Sequence, residues 1–377
     1  MHEKHQVSSK FVGLAAPGQR RAGAGGWPCQ GIYYVPEGHR PKVAMVATHY
    51  NIDFSQHYLA DLIAARGIGF LGWNTRFRGD EAHFLLDHAL VDVGTGINWL
   101  RGTMGVESVI LLGNSGGGSL MSAYHSQAVE PNVVPVFGMR PAAGLDALTP
   151  GDAYIALAAH PGRPDVLTAW LDASVTDELD PTSIDESLSL WNPENGPPYS
   201  EGFITRYREA QVARNERITT WAKAELERVT AAGLTDRIFA LARTWADPRM
   251  VDPKIDPNER IPNTCYQGDP QRANSSVWGI GGANTLRTWL SMWSLSTSQC
   301  RAEPHLRRLR VPTLVVQAKA DSGVYPSDAR WILDAVAASD KKLVELSGDH
   351  YFLEPTRARD AVADLLVGWV AERFSGI

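Results

Sequence analysis

Short apolar runs alternate with stretches of helical spacing along much of this chain. Residues 31–35, 42–48, 68–73 and 108–113 have the length and apolar content of strands. The run 42–48 is continuously apolar, as in a strand covered on both faces. Between these runs, residues 55–66 bring Tyr58, Leu59, Leu62 and Ile63 to one helical face, and Gly67 suits a left-handed helix end. Residues 84–101 repeat the spacing with Leu85, Leu86, Leu90, Val93 and Ile97. A helix is expected from about 116 to 128, and a strand at 153–159. The alternation returns with strands at 312–317 and 342–346 and helices at 327–338 and 357–374. The last helix carries the stripe Val362, Leu365, Leu366, Trp369 and Val370. This order predicts an α/β fold: a mostly parallel central sheet with helices on both faces.

The texture changes between 161 and 308. β-like runs are few, helical stretches are expected at 201–228 and 233–244, and proline-rich breaks fall at 192–198 and 252–262. Seven of the twelve tryptophans lie here: Trp170, Trp191, Trp221, Trp245, Trp278, Trp289 and Trp293. The expected organisation is a core of residues 1–160 and 309–377 with an inserted α-helical cap at 161–308. Residues 1–26, rich in Gly, Ala and charge, read as a loose lead-in.

The chemistry-bearing signal is Gly113-Asn114-Ser115-Gly116-Gly117, a G-x-S-x-G pattern between an expected strand and an expected helix. Small residues there let the backbone turn sharply and lift the serine hydroxyl above the sheet. A serine hydroxyl needs a base in reach, and the base needs an orienting acid. His350 follows the last expected strand and Asp321 follows the strand before it, and such sheet-end loops hold working groups in α/β folds. Asp349 is the rival acid, but a side chain adjacent in sequence to the base usually points elsewhere. Gly116 should give one backbone N–H to an oxyanion, and the loop at Thr48-His49-Tyr50-Asn51 should give the other.

These motifs resemble the α/β-hydrolase superfamily, over about 31–160 and 309–375, with a helical cap between. The resemblance implies a serine hydrolase with Ser115 as nucleophile, His350 as base and Asp321 as acid. The family's His-Gly-x run appears here as His49-Tyr50-Asn51, which implies Asn51 as the second oxyanion donor and Tyr50 as the next choice. Asp321 followed by Val324 and Pro326 resembles the family's acid loop. His49, Asn114, Trp289 and Trp293 complete the expected substrate-facing set, with the His49 ring holding its turn and the tryptophans forming an aromatic wall. The expected substrate is a small apolar or aromatic carboxylic ester. C–C bond hydrolase, lactonase and amidase activities remain open on the same residues, as does a catalytically silent ligand-binding homologue.

Charge and composition narrow the field. Net charge is −6, with 36 basic and 42 acidic residues intermixed, which argues against a nucleic-acid partner. Three widely spaced cysteines suggest neither disulfides nor a zinc site. His83 and His88, with Asp80, Glu81 and Asp87, match no metal spacing, so no metal and no organic cofactor is expected. The polar start lacks a secretory apolar region and no run of 18 apolar residues occurs, so a cytoplasmic chain without a membrane span is expected. Asn274-Ser275-Ser276 is then a chance sequon. A homodimer is compatible with this reading.

Overall fold

The computed structural model describes residues 4–20 and 25–376. Eight strands form the main sheet: β1 (Val7–Arg20), β2 (Gly26–Pro36), β3 (Val43–Ala47), β4 (Gly69–Asn74), β5 (Ser108–Asn114), β6 (Ala153–Leu157), β9 (Thr313–Ala318) and β10 (Lys341–Leu346). Their spatial order is β1-β2-β4-β3-β5-β6-β9-β10. The β1–β2 and β2–β4 pairs are antiparallel, and every pair from β4 to β10 is parallel.

Alternation along each strand sorts side chains to two faces. On β5, Val109 and Leu111 join one core with Leu90, Val93 and Ile97 of α2 (Leu86–Gly102), Leu120 and Met121 of α3 (Gly117–Val129) and Ile332 of α10 (Pro326–Ala335). Ile110 and Leu112 join the opposite core with Ile63 of α1 (Ala60–Ala64) and Val362, Leu366 and Val370 of α11 (Ala358–Ala371). Each such side chain contributes about 1.5–3 kcal/mol when fully buried.

The register fixes where the strands end. Ala47 pairs with Leu112, Asn114 with Leu157, Leu157 with Val316, and Ala318 with Leu346. The loops after β3, β5, β6, β9 and β10 therefore open along one edge of the sheet.

Between β6 and β9 the chain leaves the sheet. This segment holds α4 (Arg163–Trp170), α5 (Glu201–Ala231), α6 (Pro248–Val251), α7 (Pro270–Asn274), α8 (Leu286–Thr288), a π-helical turn at Trp289–Trp293 and α9 (Glu303–Leu306). It also contains an antiparallel ribbon of β7 (Ile238–Ala240) and β8 (Ala283–Thr285). That ribbon replaces the helix expected at 233–244. Gly233, at φ 87°, follows the end of α5, and the chain beyond it pairs with β8.

Two further expectations change. The lead-in is a strand: β1 lies along β2 from Val7↔Pro36 to Arg20↔Gly26. It is the sheet's edge, largely exposed, so its sequence lacks a continuous apolar run. The helix expected at 55–66 shortens to Ala60–Ala64, because Asp53 and Asn74 accept the Ser55 and Phe54 N–H groups (2.8 Å each) and hold a turn ahead of it. Among the described residues, no helix is long and apolar enough to cross a membrane.

Candidate active site

Ser115 stands between the end of β5 and the start of α3 with φ 55°, a strained left-handed conformation for a residue with a side chain. Its N–H donates to the Leu157 carbonyl (3.0 Å), and its carbonyl accepts from the N–H groups of Gly118 and His160 (3.1 Å each). The surrounding glycines make the turn sterically feasible. A β-carbon on Gly113 would stand 2.6 Å from the Gly118 α-carbon, and one on Gly117 would stand 2.3 Å from the Thr48 carbonyl oxygen.

His350 Nε2 lies 3.0 Å from the Ser115 Oγ, and His350 Nδ1 lies 2.7 Å from Asp321 Oδ2. A proton on Nδ1 suits the carboxylate and leaves the Nε2 lone pair for the serine O–H. Asp321 is fully buried but well supplied with donors. Its Oδ1 accepts from the N–H groups of Gly323 and Val324 (2.9 Å each) and from the Tyr266 hydroxyl (3.1 Å). The Tyr266 oxygen also lies 2.9 Å from His350 Nδ1.

Around the serine sit two more histidines and an arginine. His160 follows β6, its ring 6.2 Å from that of His350. Burial, then the positive charge of Arg163, holds His49 well below the usual histidine range. Burial, then proximity to His350 and Arg163, does the same for His160. Both rings are neutral near pH 7. Arg163 opens α4, pairs with Glu81 (2.6 Å), and lays its guanidinium 4.4 Å from the Trp293 ring centre and 5.2 Å from that of Tyr50.

Solved structures share this architecture. The chain is similar to DcsB, solved in complex with its substrate analogue (TM-score 0.54, 13% identity, 97% of this chain and 100% of that one). It is also similar to the α/β-hydrolase GrgF from Penicillium sp. sh18 (TM-score 0.51, 12% identity, 97% of each chain). A third is Est1E from Butyrivibrio proteoclasticus (TM-score 0.50, 10% identity, 96% of this chain and 98% of that one). The chain has the α/β-hydrolase fold. No protein-family model and no curated protein sequence matches it.

On this α/β-hydrolase frame, Ser115, His350 and Asp321 come together from three sheet-end loops. Asp349, the rival acid, accepts from the N–H groups of Tyr351 and Leu353 in its own exposed turn (3.0 and 2.9 Å). The remaining expected residues divide. The Tyr50 hydroxyl is buried against the Ser119 Oγ (2.9 Å). The Asn51 N–H is aimed at His49 Nδ1 (3.5 Å). The Asn114 amide is engaged with His57 Nε2 (3.0 Å) and the Leu157 carbonyl (2.9 Å), which ties β5 to its neighbours. Trp289 donates to the Thr219 Oγ1 on α5 (3.0 Å), within the packing of the inserted segment. Trp293 reaches the serine's surroundings through Arg163. His83 pairs with exposed Asp80 (2.7 Å), while His88 faces Arg76 (3.1 Å).

Tyr266, Arg163 and His160 were not singled out from sequence. His160 was accessible by the same rule as His350, since it follows a strand at the same sheet edge. Arg163 carried a weak signal: a cation in the first turn of a helix opposes the helix dipole. Tyr266 lies in an irregular, proline-flanked stretch with no periodicity to frame it.

Proposed function

We propose that the chain is a serine hydrolase that cleaves carboxylic esters through an acyl-enzyme on Ser115. The observation that carries this reading is the continuous hydrogen-bonded path from Ser115 Oγ through His350 to Asp321, at 3.0 and 2.7 Å. Ser115 attacks the acyl carbonyl while His350 Nε2 takes the hydroxyl proton. The resulting oxyanion rests on the Gly116 N–H and a second donor. His350 then gives its proton to the leaving alcohol as the carbonyl re-forms. Water attacks the acyl-enzyme with the same histidine as base, and the acid departs. Asp321 holds the imidazole tautomer and stabilises its charged form.

Residues 161–308 act as a cap over this machinery. Trp170 stacks on Trp245 (4.7 Å between ring centres) and meets Tyr266 edge-on (5.8 Å), so the aromatic wall nearest the histidine is built from these rings. An apolar or aromatic acyl or alcohol portion suits such a wall.

The test is labelling by an organophosphonate, with turnover of p-nitrophenyl esters alongside. Wild-type protein should be labelled and hydrolyse the esters, and Ser115→Ala should do neither. Labelling that survives in Ser115→Ala would refute the nucleophile. Binding of esters without turnover would favour a silent homologue.

A further inference from the structure

We infer that the second oxyanion donor is a side chain, the Nε2–H of His49, with the Arg163 guanidinium beside it, and not the backbone N–H of Asn51 or Ile52. This rests on the serine-hydrolase reading above. The N–H groups of Asn51 and Ile52 both approach His49 Nδ1, at 3.5 and 3.4 Å. An Nδ1 that accepts carries no proton, so the proton of a neutral ring is on Nε2. The same two contacts turn both N–H groups away from an oxyanion role.

Nε2 lies against the nucleophile turn. A β-carbon built on Gly116 would stand 2.6 Å from His49 Nε2 and 3.2 Å from Arg163 Nη1. Gly116 carries the N–H that follows Ser115, so one backbone and two side-chain donors meet at this residue. Among the described residues, neither His49 Nε2 nor Arg163 Nη1 has a protein acceptor. Neither atom is sealed from solvent, so each donor is open to an arriving oxygen.

The surroundings hold both groups in place. Burial and the charge of Arg163 keep His49 neutral, so it donates without adding another cation next to His350, which becomes charged during the reaction. Arg163, with its side chain 5% exposed, is clamped by Glu81, whose second oxygen accepts from the Gly281 N–H (2.9 Å). Donors fixed in advance need no reorganisation as charge develops on the carbonyl oxygen.

Kinetics on p-nitrophenyl butyrate with His49→Phe and His49→Gln test this. Phe keeps a ring without a donor, and Gln restores an N–H. His49→Phe should lower kcat by about 10²–10³ with KM nearly unchanged, and His49→Gln should recover most of the loss. A wild-type protein that neither reacts with an organophosphonate nor turns over overturns the hydrolase reading, and this assignment with it. Labelling and turnover at wild-type rates in His49→Phe overturn the donor alone, as does equal loss in both variants. Folding of the variants is bypassed by ¹⁵N-histidine spectra of the wild type. These should show the Nε2–H tautomer of His49, with its proton shifted when a trifluoromethyl ketone binds Ser115. An Nδ1–H tautomer, or a resonance unmoved by the ketone, rules the assignment out.

Discussion

Tyr266 brings a hydroxyl of the inserted segment to the side chains of the proposed catalytic acid and base. Its hydroxyl bridges Asp321 Oδ1 and His350 Nδ1, and its ring stands 4.5 Å from the imidazole. The ring fits because residue 323 is glycine: a β-carbon there would come within 2.3 Å of it. Tyr266→Phe removes one of three donors to Asp321 Oδ1 and leaves the Gly323 and Val324 N–H groups in place. The loss should be near 1 kcal/mol, roughly fivefold to tenfold in kcat/KM. Gly323→Ala should cost at least as much by displacing the ring. The two changes share one mechanism, so Gly323→Ala should cost little more once position 266 is alanine. Additive losses in that double-mutant cycle would show that Gly323 acts independently of Tyr266.

Among elements, what the sequence made legible followed from periodicity. β3, β4, β5, β6 and β9 are buried along their length, so each is written as an apolar run, and the residues after them could be placed at one edge. Ser115 and Asp321 were legible for that reason, whereas His350 follows β10, a half-exposed edge strand marked only by the short apolar run Leu343, Val344 and Leu346. β1 was not, because a solvated edge strand mixes Ser8, Ser9 and Lys10 with its apolar positions. The ribbon strand β7 was hidden because the helix-forming residues around it are overruled by Gly233 and by pairing with β8. Arg163 and Tyr266 belong to the inserted segment, whose path over the sheet is set by tertiary packing. The β5–α3 turn makes an element-scale prediction. On Gly117 a β-carbon meets the backbone oxygen of Thr48 at 2.3 Å, and a backbone atom cannot swing aside as a side-chain tip does. Gly117→Ala should force β3 and α3 apart and destabilise the fold by about 1–3 kcal/mol. A urea midpoint equal to that of the wild type would mean the turn is more compliant than this packing implies.

Across the whole molecule, buried neutral histidines set the response to acid. Burial pushes His57, His125 and His305 down to about 4 from an ordinary value of 6.5. His57 lies in the loop after β3, His125 in α3 and His305 in α9. His49 and His160 are lowered in the same direction. As pH falls below 6.5, the unfolded chain takes up protons at these positions before the folded one does. Stability is therefore lost between about 6.5 and about 4, and these three groups cause no further loss below that. Each, fully developed, is worth on the order of 3 kcal/mol. The buried carboxylate of Asp247 responds in a lower window. Burial raises it, but Arg208 and Arg249 outweigh burial and hold it at about 2, so its contribution fades only as pH drops below 3.8. Urea midpoints should therefore fall steeply from pH 7 to pH 4.5, before the carboxylates protonate, and replacing His125 with Gln should flatten that slope. A midpoint that stays constant to pH 4.5 would mean that the folded protein binds these protons as readily as the unfolded chain, and that the histidines are more open to water than their burial indicates.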